Sequence, residues 1–292
     1  MIGYLISRPG LEALITQYSP QWLNRAGVHT ATFAVQGAYI KHTAIWSEIK
    51  AVYIGLQGHS KCAYCERKFE SVQLGKIELA IEHFRPKSKV KRWRLPVALR
   101  NAGIALANVP LPNGGYYLLT YDVHNYCAAC GPCNTILKRN YFPIVGAYGF
   151  AATTSAALAA EQALLLYPIT DDAEQFIEFY GVSPRPTMQH GHGRSRALVT
   201  IDFFKLDDFN TRKNLVRERA LLLTALFPQL EAMCGAGSPQ DKQIASGLVF
   251  SYLASTSPHS NCMRSFVLLF FTAPNEARVI YEFAAGFVSA SS

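Results

Sequence analysis

The sequence lacks any hydrophobic run long enough to cross a membrane. Its longest fully apolar stretch, Phe266-Val-Leu-Leu-Phe-Phe271, is far shorter than the roughly 20 residues that a membrane helix needs. The chain also begins without a basic segment or a plausible cleavage site, so we expect no secretory signal. These absences predict a cytoplasmic protein, in which paired cysteines bind metal more often than they form disulfides. With 50% hydrophobic and 16% charged residues, the composition excludes a disordered chain.

Acidic side chains are almost absent from the middle of the sequence. Between positions 83 and 160 the only one is Asp122, whereas the same stretch carries nine lysines and arginines. This local excess of eight (nine minus one) equals the formal net charge of +8 of the whole chain. Because phosphate neutralisation supplies most nonspecific affinity for nucleic acids, the block predicts a polyanion-binding surface; a solvated loop with incidental charge is the alternative. The residues that we expect to bind nucleic acid are Arg85, Lys87, Lys89, Lys91, Arg92 and Lys138.

Four of the seven cysteines form two Cys-x-x-Cys pairs, Cys62-Ala-Tyr-Cys65 and Cys130-Gly-Pro-Cys133. Two such pairs in one chain are much more specific than one, and four thiolates suit a tetrahedral structural zinc ion. Cys127 leaves an alternative open, because Cys127 and Cys130 have the same spacing as Cys130 and Cys133. We prefer Cys130 with Cys133, since Asn134 then follows directly after a zinc ligand.

Glu82 and His83 lie between the two cysteine pairs. Histidine titrates near neutral pH, so His83 is the candidate general base for the attack of water on a phosphodiester. That reaction also needs a divalent cation, and magnesium binds carboxylate and amide oxygens while it keeps several waters. Glu82 and Asn134 are the candidate ligands, although neighbours on a regular strand point to opposite faces, so the strand must end or twist at Glu82. We expect Asn125 to brace the adjacent loop through hydrogen bonds.

Hydrophobic periodicity predicts an α+β chain in three parts. Residues 1–56 form an N-terminal helical segment that begins with a loop, 57–146 a compact core with a long basic loop, and 147–292 a mainly helical C-terminal region with a small β-hairpin. The expected helices cover 43–54, about 130–139, 206–226, 239–254 and 262–288. The expected strands are 77–83 and 115–122 in the core, and 175–180 and 197–202 in the hairpin.

Taken together, the motifs resemble those of the HNH, or ββα-metal, endonucleases. The segments that carry the resemblance are Cys62-Ala-Tyr-Cys65-Glu66, Ile81-Glu-His-Phe-Arg-Pro-Lys87, Tyr121-Asp-Val-His-Asn125, Cys130-Gly-Pro-Cys133-Asn134 and Lys138-Arg-Asn-Tyr-Phe-Pro143. The most similar branch is that of the PtuB-like nucleases, which accompany an ABC-type ATPase in Septu and certain retron anti-phage systems. The similarity extends over about residues 60 to 225.

The resemblance implies a ββα-metal (HNH) nuclease core with a structural zinc knuckle at Cys62, Cys65, Cys130 and Cys133. It also implies that His83 is the general base, that Glu82 and Asn134 hold the catalytic metal, and that Asn125 supports the loop. Many HNH proteins have a third histidine at the position of Asn134, and an amide there favours Mg²⁺ or Mn²⁺ over a transition metal.

The implied substrate is DNA, or RNA including tRNA. The implied partners are a PtuA-like ABC-type ATPase and, in retron systems, a reverse transcriptase with its RNA–DNA product. The competing hypothesis is a non-catalytic, zinc-containing module that binds nucleic acid or protein. Such a module would retain the knuckle and the basic loop but would give the Glu82–His83 pair no function.

Overall fold

The computed structural model describes residues 1–41, 44–58 and 60–290, except for the side chain of Val72. Over this range the chain is a mostly helical α+β protein with two small two-stranded sheets. Thr43, the first position of a predicted helix, and the last two residues of the predicted C-terminal region lie outside the described residues. Among the helices described, none combines the length and the apolar character that a membrane crossing requires.

The N-terminal part is helical almost from its start. Its elements are α1 (Arg8–Tyr18), α2 (Trp22–Gln36), a 3-10 turn (Ile45–Ile49) and α3 (Lys50–Leu56). The last two confirm the described part of the helix predicted at 43–54. The predicted opening loop is confirmed for residues 1–7, but it ends where α1 begins, and α1 and α2 are not predicted. Two helix-terminus signals mark these helices: the Ser7 hydroxyl accepts a hydrogen bond from the Gly10 amide (3.2 Å), and Gly37 ends α2 with a φ of 66°.

The central part contains an antiparallel pair of strands. Its elements are α4 (Val72–Glu78), β1 (Leu79–His83), α5 (Val97–Asn101), 3-10 turns at Tyr117–Leu119 and Val123–Asn125, β2 (Tyr126–Cys130) and a π-helical segment (Pro132–Lys138). The π-helical segment confirms the helix predicted near 130–139, and β1 confirms all but the first two residues of the strand predicted at 77–83. The strand predicted at 115–122 is wrong, since β1 pairs with β2. All five residues of β2 are buried, so this strand has no alternating pattern to predict.

The C-terminal part is mainly helical and holds the second sheet. Its elements are α6 (Ser155–Ala160), β3 (Ile177–Tyr180), β4 (Ser183–Pro186), α7 (Gly191–Phe203), α8 (Lys213–Cys234), α9 (Pro239–Leu253), α10 (Ser260–Thr272) and α11 (Pro274–Ala290). The predicted hairpin partner at 197–202 is wrong, because it lies within α7. The strand β4 pairs with β3 instead, across a tight turn at Gly181, whose φ is 61°. The predicted helix 262–288 is divided between α10 and α11 at Pro274.

A buried charge network joins the first cysteine pair to α10. The Glu66 carboxylate contacts the Lys61 ammonium (3.1 Å), the Ser260 hydroxyl (2.9 Å) and the α-amino group of Met1 (2.5 Å). Burial raises the pKa of Glu66, but the two ammonium groups outweigh it and hold that pKa well below its usual value. The central part is thus packed directly against the C-terminal helices, while the division of the chain into three domains stays a prediction.

Candidate functional site

The four cysteines of the two Cys-x-x-Cys pairs meet in one buried cluster. The sulfur atoms of Cys62, Cys65, Cys130 and Cys133 all lie within 4.8 Å of one another. The Sγ atoms of Cys65 and Cys130 are 3.8 Å apart, and tetrahedral zinc with Zn–S bonds of about 2.3 Å requires a sulfur–sulfur distance of about 3.8 Å. The donor set therefore fits structural zinc. Cys127 is not part of the cluster, because it lies opposite Glu82 in the β1–β2 register.

Local backbone structure brings these cysteines together. The first pair lies in a tight turn, in which the Cys62 amide donates to the carbonyl of Arg67 (3.0 Å) and the Glu66 amide donates to the carbonyl of Cys62 (3.1 Å). An amide–carbonyl hydrogen bond from Ala63 to Ala128 (3.0 Å) holds this turn against β2. Because Cys130 ends β2 and Cys133 lies at the start of the π-helical segment, the second pair reaches the same point.

Arg212, immediately before α8, is a neighbour of the cluster that the sequence did not reveal. Its two terminal nitrogens lie 3.8 and 3.9 Å from Cys133 Sγ. A guanidinium at this distance offsets the negative charge that four thiolates retain around Zn²⁺. No local pattern predicts this contact, since Arg212 is remote from the cysteines in sequence.

His83 is buried at the end of β1, between two aromatic rings. Its Nε2 lies 3.1 Å from the Thr120 carbonyl oxygen, and the centroids of Trp46 and Tyr126 lie 5.0 and 4.9 Å from the imidazole in edge-to-face arrangements. When Nε2 donates to that carbonyl, Nδ1 carries the free lone pair. Burial and the nearby Lys87 ammonium lower the pKa of His83 well below its usual value. The imidazole is therefore neutral near pH 7 and able to accept a proton.

Glu82, next to His83, is held by Lys138. The Lys138 Nζ lies 3.1 Å from Glu82 Oε1; both side chains are buried, and neither atom has another hydrogen-bond partner among the described residues. Lys138 is thus buried and paired with a carboxylate, and its predicted role in binding nucleic acid stays a prediction. Burial raises the pKa of Glu82, against the opposing effects of Lys138 and Lys87. Since Lys87 and Lys138 also act on the pKa of His83, Glu82 and His83 share one electrostatic environment.

The two asparagines have different surroundings. Asn125 is buried; its Oδ1 accepts from the Arg85 amide (2.7 Å), and its Nδ2 donates to the carbonyls of Arg85 (2.9 Å) and Leu119 (3.0 Å). These are the contacts of a residue that braces a loop. Asn134 is half-buried in the π-helical segment, where its backbone carbonyl accepts a hydrogen bond from the Arg139 amide (2.7 Å). Its role as a metal ligand stays a prediction.

Only some of the residues that we expect to bind nucleic acid have an exposed cationic group. Lys89, Lys91 and Arg92 are exposed, as expected. Lys87 instead lies over the Trp46 ring, with its ammonium 4.6 Å from the ring centroid. Arg85 forms an ion pair with the buried Glu161 (2.8 Å), so its guanidinium is committed to the fold rather than to a phosphate.

We expect that Lys138→Met lowers the free energy of unfolding by about 3 kcal/mol, because it leaves the buried Glu82 carboxylate unpaired. Equilibrium unfolding in urea measures the loss. Lys89→Met is the matched control and should stay within about 0.5 kcal/mol of the wild type, since Lys89 is exposed. The double variant Glu82→Gln/Lys138→Met should recover most of the loss. Equal stability of the Lys138→Met and Lys89→Met variants would show that the ion pair contributes nothing.

Comparison with known proteins identifies a distant relative. No family model matches the chain, and no solved structure matches it. Over 162 residues the chain is 30% identical to the Septu protein PtuB of Bacillus mycoides (strain KBAB4). The matched region covers 56% of this chain and 46% of that protein, so the chain spans less than half the length of this relative. The chain is therefore a distant homologue of the Septu protein PtuB.

Proposed function

We propose that the chain is a metal-dependent endonuclease of the HNH, or ββα-metal, type that hydrolyses phosphodiester bonds of DNA or RNA. The observation that carries the proposal is the placement of His83. It is a buried, neutral imidazole at the end of β1, and the paired strand β2 leads through Cys130 and Cys133 into the π-helical segment with Asn134. Two strands and one helical segment around a four-cysteine cluster support a ββα-metal arrangement.

In the proposed reaction, His83 Nδ1 accepts a proton from the water that attacks the phosphorus. The Thr120 carbonyl fixes the tautomer through Nε2, and the rings of Trp46 and Tyr126 fix the orientation of the imidazole. Preset geometry of this kind is what general-base catalysis requires.

A catalytic cation is part of the proposal. Glu82 and Asn134 would hold Mg²⁺ or Mn²⁺, which supplies charge stabilisation at the phosphate and at the leaving 3′ oxygen. The donor set fits such a hard cation, because it consists of oxygen atoms. In this proposal Lys138 would orient the carboxylate through Oε1 and leave its other oxygen available to a metal ion.

The similarity to PtuB supports a role in Septu-type anti-phage defence. We infer that the chain is the nuclease effector of such a system, and that a PtuA-like ABC-type ATPase restrains or targets it. A retron reverse transcriptase with its RNA–DNA product is a further candidate partner. Because a toxic nuclease must be restrained in the cell, the activity has to be assayed both with and without the ATPase.

Metal dependence tests the proposal. We expect the wild type, with its ATPase partner, to degrade plasmid DNA or total cellular RNA in Mg²⁺ or Mn²⁺ and to lose this activity when the divalent cation is omitted. Asn134→Ala should raise the metal concentration that gives half-maximal activity by about tenfold or more, because one oxygen ligand is removed.

The control is Asn214→Ala, which changes an exposed asparagine of α8 and should leave the metal requirement as it is. Failure of the wild type to cut either polymer under all of these conditions would refute the nuclease proposal. An unchanged metal requirement in Asn134→Ala would refute only the ligand assignment.

A further inference from the structure

A groove of about 650 Å³ lies along the long loop that separates β1 from β2. The guanidinium-bearing residues at this groove are Arg92, Arg94 and Arg100, all of them exposed. Only Arg92 is among the residues for which the sequence predicts nucleic-acid binding; Arg94 and Arg100 add to them. Among the described residues, no carboxylate lines the groove.

These three arginines differ from several exposed arginines elsewhere in the protein. Arg25 is paired with Glu48, and Arg185 is paired with Glu178. Within the part of the chain that the structure describes, none of the groove arginines forms an ion pair. A concentration of unpaired guanidinium groups without acidic neighbours attracts a polyanion and binds its phosphates with little competition from the protein itself.

The groove is connected to the candidate metal site through the backbone. The Lys91 amide donates to the carbonyl of Asn140 (2.8 Å), two residues after the end of the π-helical segment, and Pro143, three residues further on, lines the groove. Exposed Lys89 and Lys91 lie on the chain between His83 and the groove. Two exposed cationic residues thus lie between His83 and the groove along the chain, and the groove lining includes a residue that follows the π-helical segment.

The remaining lining favours unpaired bases. Apolar side chains form much of the groove wall, together with two aromatic residues: Leu95, Ile104, Leu106, Val109, Trp93 and Tyr148. A groove of about 650 Å³ has the size of a small-molecule pocket, about 300–1,000 Å³, which suits one or a few bases but not a duplex. Proteins that bind single strands combine cationic groups for the backbone with apolar and aromatic surface for the bases.

We propose that this groove binds a single-stranded segment of the nucleic acid next to the scissile bond, with phosphates on Arg92, Arg94 and Arg100 and bases against the apolar wall. The inference rests on the proposed nuclease function and specifies its substrate class: a strand with unpaired bases beside the cut. The chemistry is shared by single-stranded DNA and RNA, which the test distinguishes.

Fluorescence anisotropy without added divalent cation tests binding separately from cleavage. The probes are fluorescein-labelled single-stranded DNA, single-stranded RNA and duplex DNA of equal length, with full-length protein. We expect at least one single strand to bind about tenfold more tightly than the duplex. Arg94→Ala/Arg100→Ala should weaken single-strand binding by about tenfold. It should also reduce the slope of log affinity against log salt by about 1.4, since each phosphate that the protein no longer neutralises accounts for about 0.7.

The matched control is Arg25→Ala/Arg185→Ala, which removes the same charge from exposed positions outside the groove and should leave binding within about twofold. Arg94→Lys/Arg100→Lys should retain most of the affinity, and zinc content identifies any variant that fails to fold. Equal weakening by both alanine pairs, equal affinity for duplex and single strand, or equally effective competition by polyglutamate would each overturn the groove assignment. None of these outcomes bears on whether His83 is needed for cleavage.

Discussion

Replacement of His83 by alanine is expected to reduce phosphodiester cleavage by at least about 10³-fold, or about 4 kcal/mol in the activation free energy. Burial keeps the His83 imidazole neutral, and its Nε2 contacts the Thr120 carbonyl, so the lone pair of Nδ1 is available to accept a proton. We expect no neighbouring side chain to replace it as the base. Loss of plasmid DNA and of cellular RNA, followed over time with the ATPase present, measures the effect. Zinc content should stay close to that of the wild type. The unfolding midpoint should fall, because the variant loses a buried imidazole that contacts Trp46 and Tyr126, so cleavage is measured at a temperature at which the variant is still folded.

His190→Ala is the control for this variant, because it removes an exposed histidine at the start of α7 and should leave the cleavage rate unchanged. If His83→Ala cleaves as fast as the wild type, His83 is not the base and the mechanism fails. If neither the wild type nor His83→Ala cleaves, while both bind nucleic acid equally well, the non-catalytic zinc module becomes the better explanation. These two outcomes separate an error in the mechanism from an error in the class of protein.

The sequence was sufficient for the parts of the site that depend on local spacing. A Cys-x-x-Cys turn places two thiols on one side of the backbone wherever it occurs, so the meeting of Cys62 and Cys65 with Cys130 and Cys133 followed from two short patterns. The preference for Cys133 over Cys127 was also correct, since Cys127 lies opposite Glu82 in the sheet.

The contacts that the sequence did not predict join distant segments. Nothing in the residues around Lys138 shows that its ammonium contacts Glu82, or that Arg212 approaches Cys133. A cluster of basic residues in a sequence does not show which of them form ion pairs within the folded protein. In this protein Arg85 forms an ion pair with Glu161, and Lys138 forms one with Glu82. Arg94 and Arg100 line a groove and form no ion pair with any described residue.

Burial on both faces explains the misplaced strand. Tyr126-Cys-Ala-Ala-Cys130 is covered on each side, so it lacks the alternation that identifies a half-exposed strand. The segment 115–122 looked more like a strand because it is rich in tyrosine and leucine. It turns back instead, with the Asp122 side chain accepting from the His124 amide (2.7 Å).

Substitution of Cys133 by serine is expected to release the zinc ion and to unfold the central part of the chain. Structural zinc binds with an apparent free energy of about 10–16 kcal/mol, which equals or exceeds the whole stability of a typical domain, about 5–15 kcal/mol. The cluster is buried and joins β2, the first cysteine turn and Arg212, so removal of the metal frees three segments at once. Elemental analysis of the purified protein and calorimetric unfolding measure the result, and Co²⁺ substitution reports thiolate coordination in the wild type.

Cys127→Ser is the matched control, because Cys127 is equally buried and lies three residues from Cys130, but outside the cluster. It should keep one zinc ion per chain. Its free energy of unfolding should fall by only about 1–3 kcal/mol, the cost of burying a hydroxyl group in an apolar environment. Retention of zinc by Cys133→Ser together with its loss from Cys127→Ser would reverse the ligand assignment. Retention by both variants would exclude the four-cysteine site. Since the same π-helical segment carries Cys133 and Asn134, unfolding around Cys133 should also abolish cleavage, whereas His83→Ala abolishes cleavage in a folded, zinc-loaded protein.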